Sequence, residues 1–494
     1  MKTRFTFALA VAAIVCAGQS RAAIKTVSDF GSLQSALEGA TSGDTIVMAN
    51  GTYNATSAIN VTASGVTLVS ENGKANAILD GGSGCRLLSV SGTDFKVEGV
   101  TFRNGHYAGN GGAIYYNSSS VSKTTEIRNC DFVDCTAKRG GAIYAGKNSY
   151  SSFVGRENYG VVSGCTFLHC GIDTTGTADN WGGGGAIFGA LWVEDSVFDA
   201  CYCTDSNSLQ YHAAIDVTSY TTITNCIFRN HSQIKFGLVG TEETQQGIGC
   251  ARLIDCLIAS NTAHSVDAVL FHRKVILDRC VISNNASAVT SSLTGLYRSA
   301  DKSFSKVTSC LFVDNKFAFD IASMPPLYNC TFVRNVGGLA YNYNEGTATC
   351  PAITNCVFWG NFANTKWPFN AVFKGVPGLY WHGGVDLPSL IKMGNTVIEG
   401  GSSNSDIQLL FESDASGNSA ALTAAIDADG PRFTNAANGN WTLKSKSLLV
   451  NAGVLCDWMA GARDLSGFPR VSGELPDIGC FEFFRAPGFR VTIK

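Results

Sequence analysis

Between residues 96 and 365 the chain is built of short segments in which apolar and polar residues alternate, each closed by a turn former. Alternation at period two marks a strand with one buried face. One phrase recurs, Cys-x-Phe or a near variant. It pairs Val100 with Phe102, Cys130 with Phe132, Cys165 with Phe167, Ser196 with Phe198, Cys226 with Phe228, Cys256 with Ile258, Cys280 with Ile282, Cys310 with Phe312, Cys330 with Phe332 and Cys356 with Phe358. Successive copies are 20 to 35 residues apart, the period of a solenoid in which each repeat is one coil. The two marked residues share a strand face, which must be the interior. The residue before the cysteine is a turn former at Asn129, Asp255, Ser309, Asn329 and Asn355, a residue type suited to tight corners. Five residues after the cysteine stands Asn261, Asn285, Asn315, Asn335 or Asn361, and Cys135, Cys170, Cys201 and His231 hold that place in earlier coils. The predicted fold is all-β, a right-handed parallel β-helix with Cys, Phe and Asn stacked in columns.

A second phrase, Gly-Gly-Ala-Ile followed by an aromatic, runs over Gly111–Tyr115, Gly140–Tyr144 and Gly184–Phe188, with degenerate copies at Ala213–Ile215 and Gly337–Gly338. Paired glycines permit a sharp entry into the next strand. Together with Phe312–Asn315 and Phe332–Asn335, this phrase resembles the repeats of chlamydial polymorphic outer membrane proteins over roughly residues 95 to 365. That resemblance implies an extracellular, adhesin-like surface. Near the start, Phe30–Ala40 reads as a short amphipathic helix with a serine start, followed by the first strands near Thr45 and Gly51. This stretch looks like the opening of pectate-lyase-like and chondroitinase-B-like enzymes and implies a pectin-lyase-like β-helix closed by a helix. The last residues, Asp464–Arg470 and Pro476–Glu482, resemble the C-terminal segment of choice-of-anchor Q proteins. Their charges suit an ion-paired cap better than a reactive site.

Composition sharpens this picture. Glycine supplies 54 of 494 residues, about 11% against a usual ~7%, which suits many tight turns. A net charge of -3 without a basic stripe argues against a nucleic-acid partner. Lys2 and Arg4, the apolar run Phe5–Ala17 and the small-residue site at Ser20–Ala22 predict an export signal cut after Ala22 and a secreted or cell-surface protein. No later run reaches the ~20 apolar residues of a membrane-spanning helix. The chain divides into a signal peptide (1–22), an N-terminal cap with first coils (23–95), the repeats (96–365), and terminal coils with a C-terminal cap (366–494). A monomer is expected.

Of 18 cysteines one lies in the signal, leaving an odd number that replace one another at one repeat position, as core residues do. The set Cys135, Cys170, Cys201 and His231 would span about 14 Å along the stack, too far for ligands that must lie within about 4.6 Å around one zinc. No metal or cofactor is expected. For chemistry, the basic cluster at His272, Arg273 and Lys274 stands out. His272 lies eight residues before Cys280 and Lys302 eight before Cys310, which predicts neighbouring coils. A lyase acting on an acidic polysaccharide needs a base and a cation to neutralise the uronate, so His272, Arg273 and Lys302 are the catalytic candidates. Lys274, Tyr115 and Tyr144 are the substrate-binding candidates, the tyrosines as a strip for sugar stacking. The favoured reading is a non-catalytic protein that binds a polysaccharide or cell-surface glycan along its solenoid. The alternative is a polysaccharide lyase or glycoside hydrolase.

Overall fold

The computed structural model describes residues 22–484 apart from 118–119, 147–151, 173–182, 204–210, 233–236, 242–249, 264–270, 273–274, 288–295, 298–305, 317–318, 321–324, 337–338, 341–351, 363–378, 381–391, 404–407, 409–410, 413 and 415–416. The expected signal peptide, Ala22 apart, lies outside these residues. Among the described residues the fold is dominated by three long parallel sheets of fourteen, thirteen and nine strands. The fourteen-stranded sheet extends from Ile24–Val27 to Lys392–Gly394, the thirteen-stranded one from Gly51–Asn54 to Val397–Ile398, and the nine-stranded one from Ile59–Val61 to Leu296–Tyr297. From Thr45 to Tyr297 each coil gives one strand to each sheet in turn, and later coils continue the fourteen- and thirteen-stranded sheets, the right-handed parallel β-helix that the spacing predicts.

The columns are as read from the sequence, and longer. Phe102, Phe132, Phe167, Phe198 and Phe228 pair in register, with ring centroids 4.7–5.1 Å apart and nearly parallel planes. The column begins two coils earlier, at Tyr53 and Leu79, and ends one coil later, at Ile398. In that last coil Thr396 takes the cysteine place and donates to the Ile353 carbonyl at 3.0 Å. With neither Cys nor Phe, the coil carries no visible phrase.

From Gly99 onward both corners of each coil are left-handed. Asn129, Asp195, Asn225, Asp255, Ser309, Asn329 and Asn355, all just before the cysteine place, have φ of +51° to +54°, and Asp134, His169, Asn230, Asn284 and Asp314 have φ of +52° to +59° at the second corner. Asn, Asp and His are the non-glycine residues enriched there. Past the second corner a buried amide ladder begins. Asn285 Nδ2 donates to Asn315 Oδ1 at 3.0 Å and to the Ile258 carbonyl at 2.9 Å, and Asn315 Nδ2 donates to Asn335 Oδ1 at 2.9 Å and to the Ile282 carbonyl at 2.8 Å. In the earlier coils the thiols of Cys135, Cys170 and Cys201 reach carbonyls at 3.4–3.8 Å. His231 joins the two stretches through Nδ1 and Asn261 Oδ1 at 2.8 Å. Its Nε2 is buried without a hydrogen-bond partner, and burial pulls the imidazole down to about 4. Of the 16 described cysteines 14 are buried.

The paired glycines do more than turn the chain. Gly111 and Gly140 hold φ of +70° and +58°. Their neighbours Gly112 and Gly141 have no room for a Cβ, which would fall 2.3 Å from the carbonyl oxygens of Thr136 and Gly171 in the next coil. Close stacking of backbone on backbone therefore fixes the phrase.

Each end of the stack is closed. Helix α1, Phe30–Glu38, is capped by Asp29, which accepts from Ser32 N at 2.9 Å while Ser32 Oγ accepts from Asp29 N at 3.2 Å; it turns Leu33 and Leu37 into the core. The predicted serine start is thus the third residue of a capping box. Helix α2, Asn418–Asp429, covers the other end. Ser419 Oγ, Thr423 Oγ1 and Asp427 Oδ1 accept from the N–H groups of Thr396, Ile398 and Gly400 at 3.0, 3.4 and 2.8 Å. Side chains four apart on a helix match amides two apart on a strand, and the edge is satisfied.

The remaining tail lies on the outer face of the thirteen-stranded sheet. Leu449, Ile478 and Cys480 pack with Leu311, Val333 and Val357, and the corner residues Asn329, Asn355 and Asn395 donate to carbonyls of Asp477, Val454 and Ala452. Arg470 is fully buried, ion-paired to Glu482 and bonded to the Gly479 carbonyl at 3.0 Å. Asp464 accepts from the amides of Phe468 and Glu482, and Asp477 from those of Asn451 and Phe483. Of these four charges Arg470 and Glu482 form an ion pair, Asp464 and Asp477 are held by backbone amides, and the clasp lies on a sheet face. Burial raises all three carboxyls, Glu482 to about 7.

Candidate functional site

The outer face of the nine-stranded sheet carries a column in strict register: Asn60, Ser89, Tyr115, Tyr144, Phe188, Asp216, Gly240, His272 and Tyr297. Its neighbours on the strands, Ile59, Leu88, Ile114, Ile143, Ile187, Ile215 and Val239, fill the core. Strand alternation therefore puts this column on the outside.

Tyr115 and Tyr144 come together as expected. Their rings stack at 5.4 Å, and Tyr144 stacks on Phe188 at 5.1 Å. The Arg86 guanidinium lies 4.5 Å from the Tyr115 centroid and 3.8 Å from that of Tyr107. Neighbouring coils occupy the faces of Tyr115 and Tyr144, so a ligand meets their edges. The partly open aromatic is Tyr107, 46% exposed. Nothing in the repeat phrases singled it out.

Arg86 is positioned through its own donors, Nε to the Gly111 carbonyl at 3.0 Å and a terminal nitrogen to the Asn110 carbonyl at 2.7 Å. Burial lowers its pKa, but a guanidinium stays cationic. Arg139, in register with Asn110 on the next coil, lies 5.5 Å from the Phe188 centroid. A second residue missed in the sequence is Asp216, fully buried in the outward column. Its signal was present in the degenerate copy Ala213–Ile215, where the next residue is an aspartate in place of an aromatic.

The backbone of His272 occupies the outward register position, two coils beyond Asp216 and separated from it by Gly240. Its ladder partner on the next coil is Tyr297, whereas equal offsets from the cysteines had paired it with Lys302. Connections of unequal length break that count. Arg273, Lys274 and Lys302 lie outside the described residues, as does the side chain of His272. Among the described residues no group of three or more His, Cys, Asp or Glu is arranged to hold a metal ion, and no helix is long and apolar enough to cross a membrane.

The fold defines the class, a right-handed parallel β-helix. No protein-family model and no curated protein matches the chain. Among solved structures it is similar to the PL6 family alginate lyase AlyGC, with 12% identity and a TM-score of 0.43 over 76% of this chain and 51% of that one. The chain thus spans about half the length of that lyase. It is also similar to a PL6 family polysaccharide lyase from Pseudopedobacter saltans (12%, TM-score 0.39, 78% and 94% covered) and to the pectate lyase Pel9A (13%, TM-score 0.35, 94% and 97%). These likenesses concern the course of the chain.

Proposed function

We propose that this is a secreted, adhesin-like β-helix protein that binds an acidic polysaccharide or cell-surface glycan along the outer face of the nine-stranded sheet. The observation that carries the reading is the stack of Tyr107, Arg86 and Tyr115, with Arg139 on the following coil. An open aromatic beside fixed guanidinium groups suits a sugar ring and its carboxylate. Coils rise about 4.8 Å each, so cations on successive coils address successive units of an extended chain. The export signal and the kinship of the repeats with chlamydial polymorphic outer membrane proteins belong to this proposal. The C-terminal resemblance to choice-of-anchor Q proteins does too. The test is affinity electrophoresis in gels containing uronate polymers or neutral glucans. Retardation by the uronates, weakened about tenfold or more in Tyr107→Ala with Arg139→Ala and by added salt, is the expected result. Equal mobility in every gel would refute it.

A second reading, polysaccharide lyase, draws on the register of His272 in the column that holds the buried Asp216. It assigns catalysis to His272, Arg273 and Lys302 and substrate binding to Lys274, Tyr115 and Tyr144. Ultraviolet absorbance of unsaturated uronates, lost in His272→Ala or Lys302→Ala, is its signature.

A further inference from the structure

A short four-stranded sheet, made of His106–Asn110, Thr136–Arg139, Gly171–Ile172 and Tyr202–Cys203, adjoins the outward column through Tyr107 and Arg86. Beside it three consecutive coils present titratable groups. Asp134 and His169 occupy the same second corner one coil apart, each at φ +52°. Asp134 Oδ1 lies 2.8 Å from His169 Nδ1. A carboxylate at this distance accepts, so Nδ1 carries the proton and Nε2 is the proton-accepting atom of the neutral ring. The two side chains are 49% and 57% exposed.

The third group is Tyr202. Its ring centroid is 4.7 Å from that of His169, with planes tilted by 43°. The ring lies against Gly171, where a Cβ would come within 2.3 Å of its atoms. Glycine at 171 is therefore what admits the phenol to this place. One coil further on, Arg229 is half-exposed on the same flank, in register after Leu168 and Asp199, and bonds Asp199 Oδ2 through Nε at 2.7 Å. At other coils the second corner makes its cross-coil bond with an amide, Asn104 to Asp80 and Asn284 to Ser260, or with a guanidinium, Arg334 to Asp314 at 2.8 Å. An amide meets the structural need; the imidazole adds a proton-transfer group, held by a carboxylate in the manner of an oriented general base.

We propose that Asp134, His169, Tyr202 and Arg229 form a β-elimination site for a uronate-containing polysaccharide, which rests on the acidic-polysaccharide reading above. His169 Nε2 takes the proton from C5, the carbon next to the carboxylate. That electron pair forms the C4–C5 double bond, the C4–O4 glycosidic bond breaks, and the departing oxygen takes a proton from the Tyr202 hydroxyl. Arg229 faces the uronate carboxylate and stabilises the charge that develops there. The imidazolium then returns its proton through water to the phenolate. One glycosidic bond is exchanged for a double bond and a hydroxyl, with no oxidant and no net water. Asp134 acts as a positioning residue.

The test incubates the full secreted chain with polygalacturonate, alginate and chondroitin and follows ultraviolet absorbance of the new double bond, beside electrophoretic binding of the same polymers. Cleavage by the wild type, falling about a hundred- to ten-thousand-fold in His169→Ala and Tyr202→Phe with binding retained, is the expected result. Asp134→Asn should lower kcat at constant KM and move the pH profile of kcat, at an unchanged unfolding temperature. Binding without cleavage, or cleavage that survives His169→Ala, overturns this site and leaves the binding reading intact. Absence of binding overturns both.

Discussion

Replacing Asn315 by Ala would break the buried amide ladder at its middle. The side chain accepts from Asn285 N and Asn285 Nδ2, both at 3.0 Å, and donates to the Ile282 carbonyl at 2.8 Å and to Asn335 Oδ1 at 2.9 Å. Four buried bonds at a net ~0.5–1.5 kcal/mol each, with some partners left unsatisfied, amount to about 3–5 kcal/mol. Cys170 stands in the same column three coils before Asn261, yet its thiol only reaches the Phe132 and Leu168 carbonyls at 3.4 and 3.7 Å. Cys170→Ala should cost about 1 kcal/mol, since a buried thiol behaves as a small hydrophobe with a weak donor. Urea unfolding at constant m-value would measure both. Native-state hydrogen exchange should show the Asn315→Ala loss concentrated in the flanking coils, because a solenoid is held by nearest-neighbour contacts. Equal losses in the two variants, or a larger one in Cys170→Ala, would refute the claim that amide bonds and not packing hold the later corners.

Four further outcomes follow from the same geometry. His231 titrates at about 4 in the folded chain against an ordinary 6.5. Its contribution of about 3 kcal/mol is thus full above pH 6.5 and lost as pH falls through 4; His231→Asn, which extends the ladder, should abolish that acid limb in unfolding-temperature measurements. Glu482 has the opposite sign: raised to about 7 by burial, it contributes most below pH 4.5 and loses that contribution as pH rises through 7, so Glu482→Gln should flatten the alkaline limb. Among the described cysteines a thiol reagent should modify chiefly Cys85 and Cys456, the half-buried ones, in the native chain and the buried thiols only after denaturation; full native reactivity of the buried set would contradict the packing role. Combined substitution of Ser419, Thr423 and Asp427 by Ala should leave the amides of Thr396, Ile398 and Gly400 open and produce end-to-end oligomers by light scattering. A monomer of unchanged stability would show that α2 is not the stopper.

The sequence by itself determined the coil. Cys, Phe and Asn recur because parallel strands in register place like on like, and the Asn and Asp before them mark corners whose left-handed φ those residues tolerate. A rule that acts between adjacent repeats is legible in one dimension. The interior at Thr396 and Ile398 escaped notice only because chemically similar residues replaced the marked ones. Tertiary structure alone decided what is non-local. The connections after the nine-stranded sheet differ in length, Val275 following close on His272 while Val307 stands far beyond Tyr297, so counting back from the cysteines paired His272 with Lys302 where the ladder pairs it with Tyr297. The tail's charges announced a closure but not its place, since its apolar residues find their partners on outward Leu311, Val333 and Val357, positions that in a solvated coil would be polar. Tyr115 and Tyr144 were visible as an aromatic pair, but whether their faces are open depends on Arg86 and Phe188 from neighbouring coils. Asp134, His169 and Tyr202 share no motif. They meet because three coils stack, and because Gly171 leaves the space that a side chain would have filled.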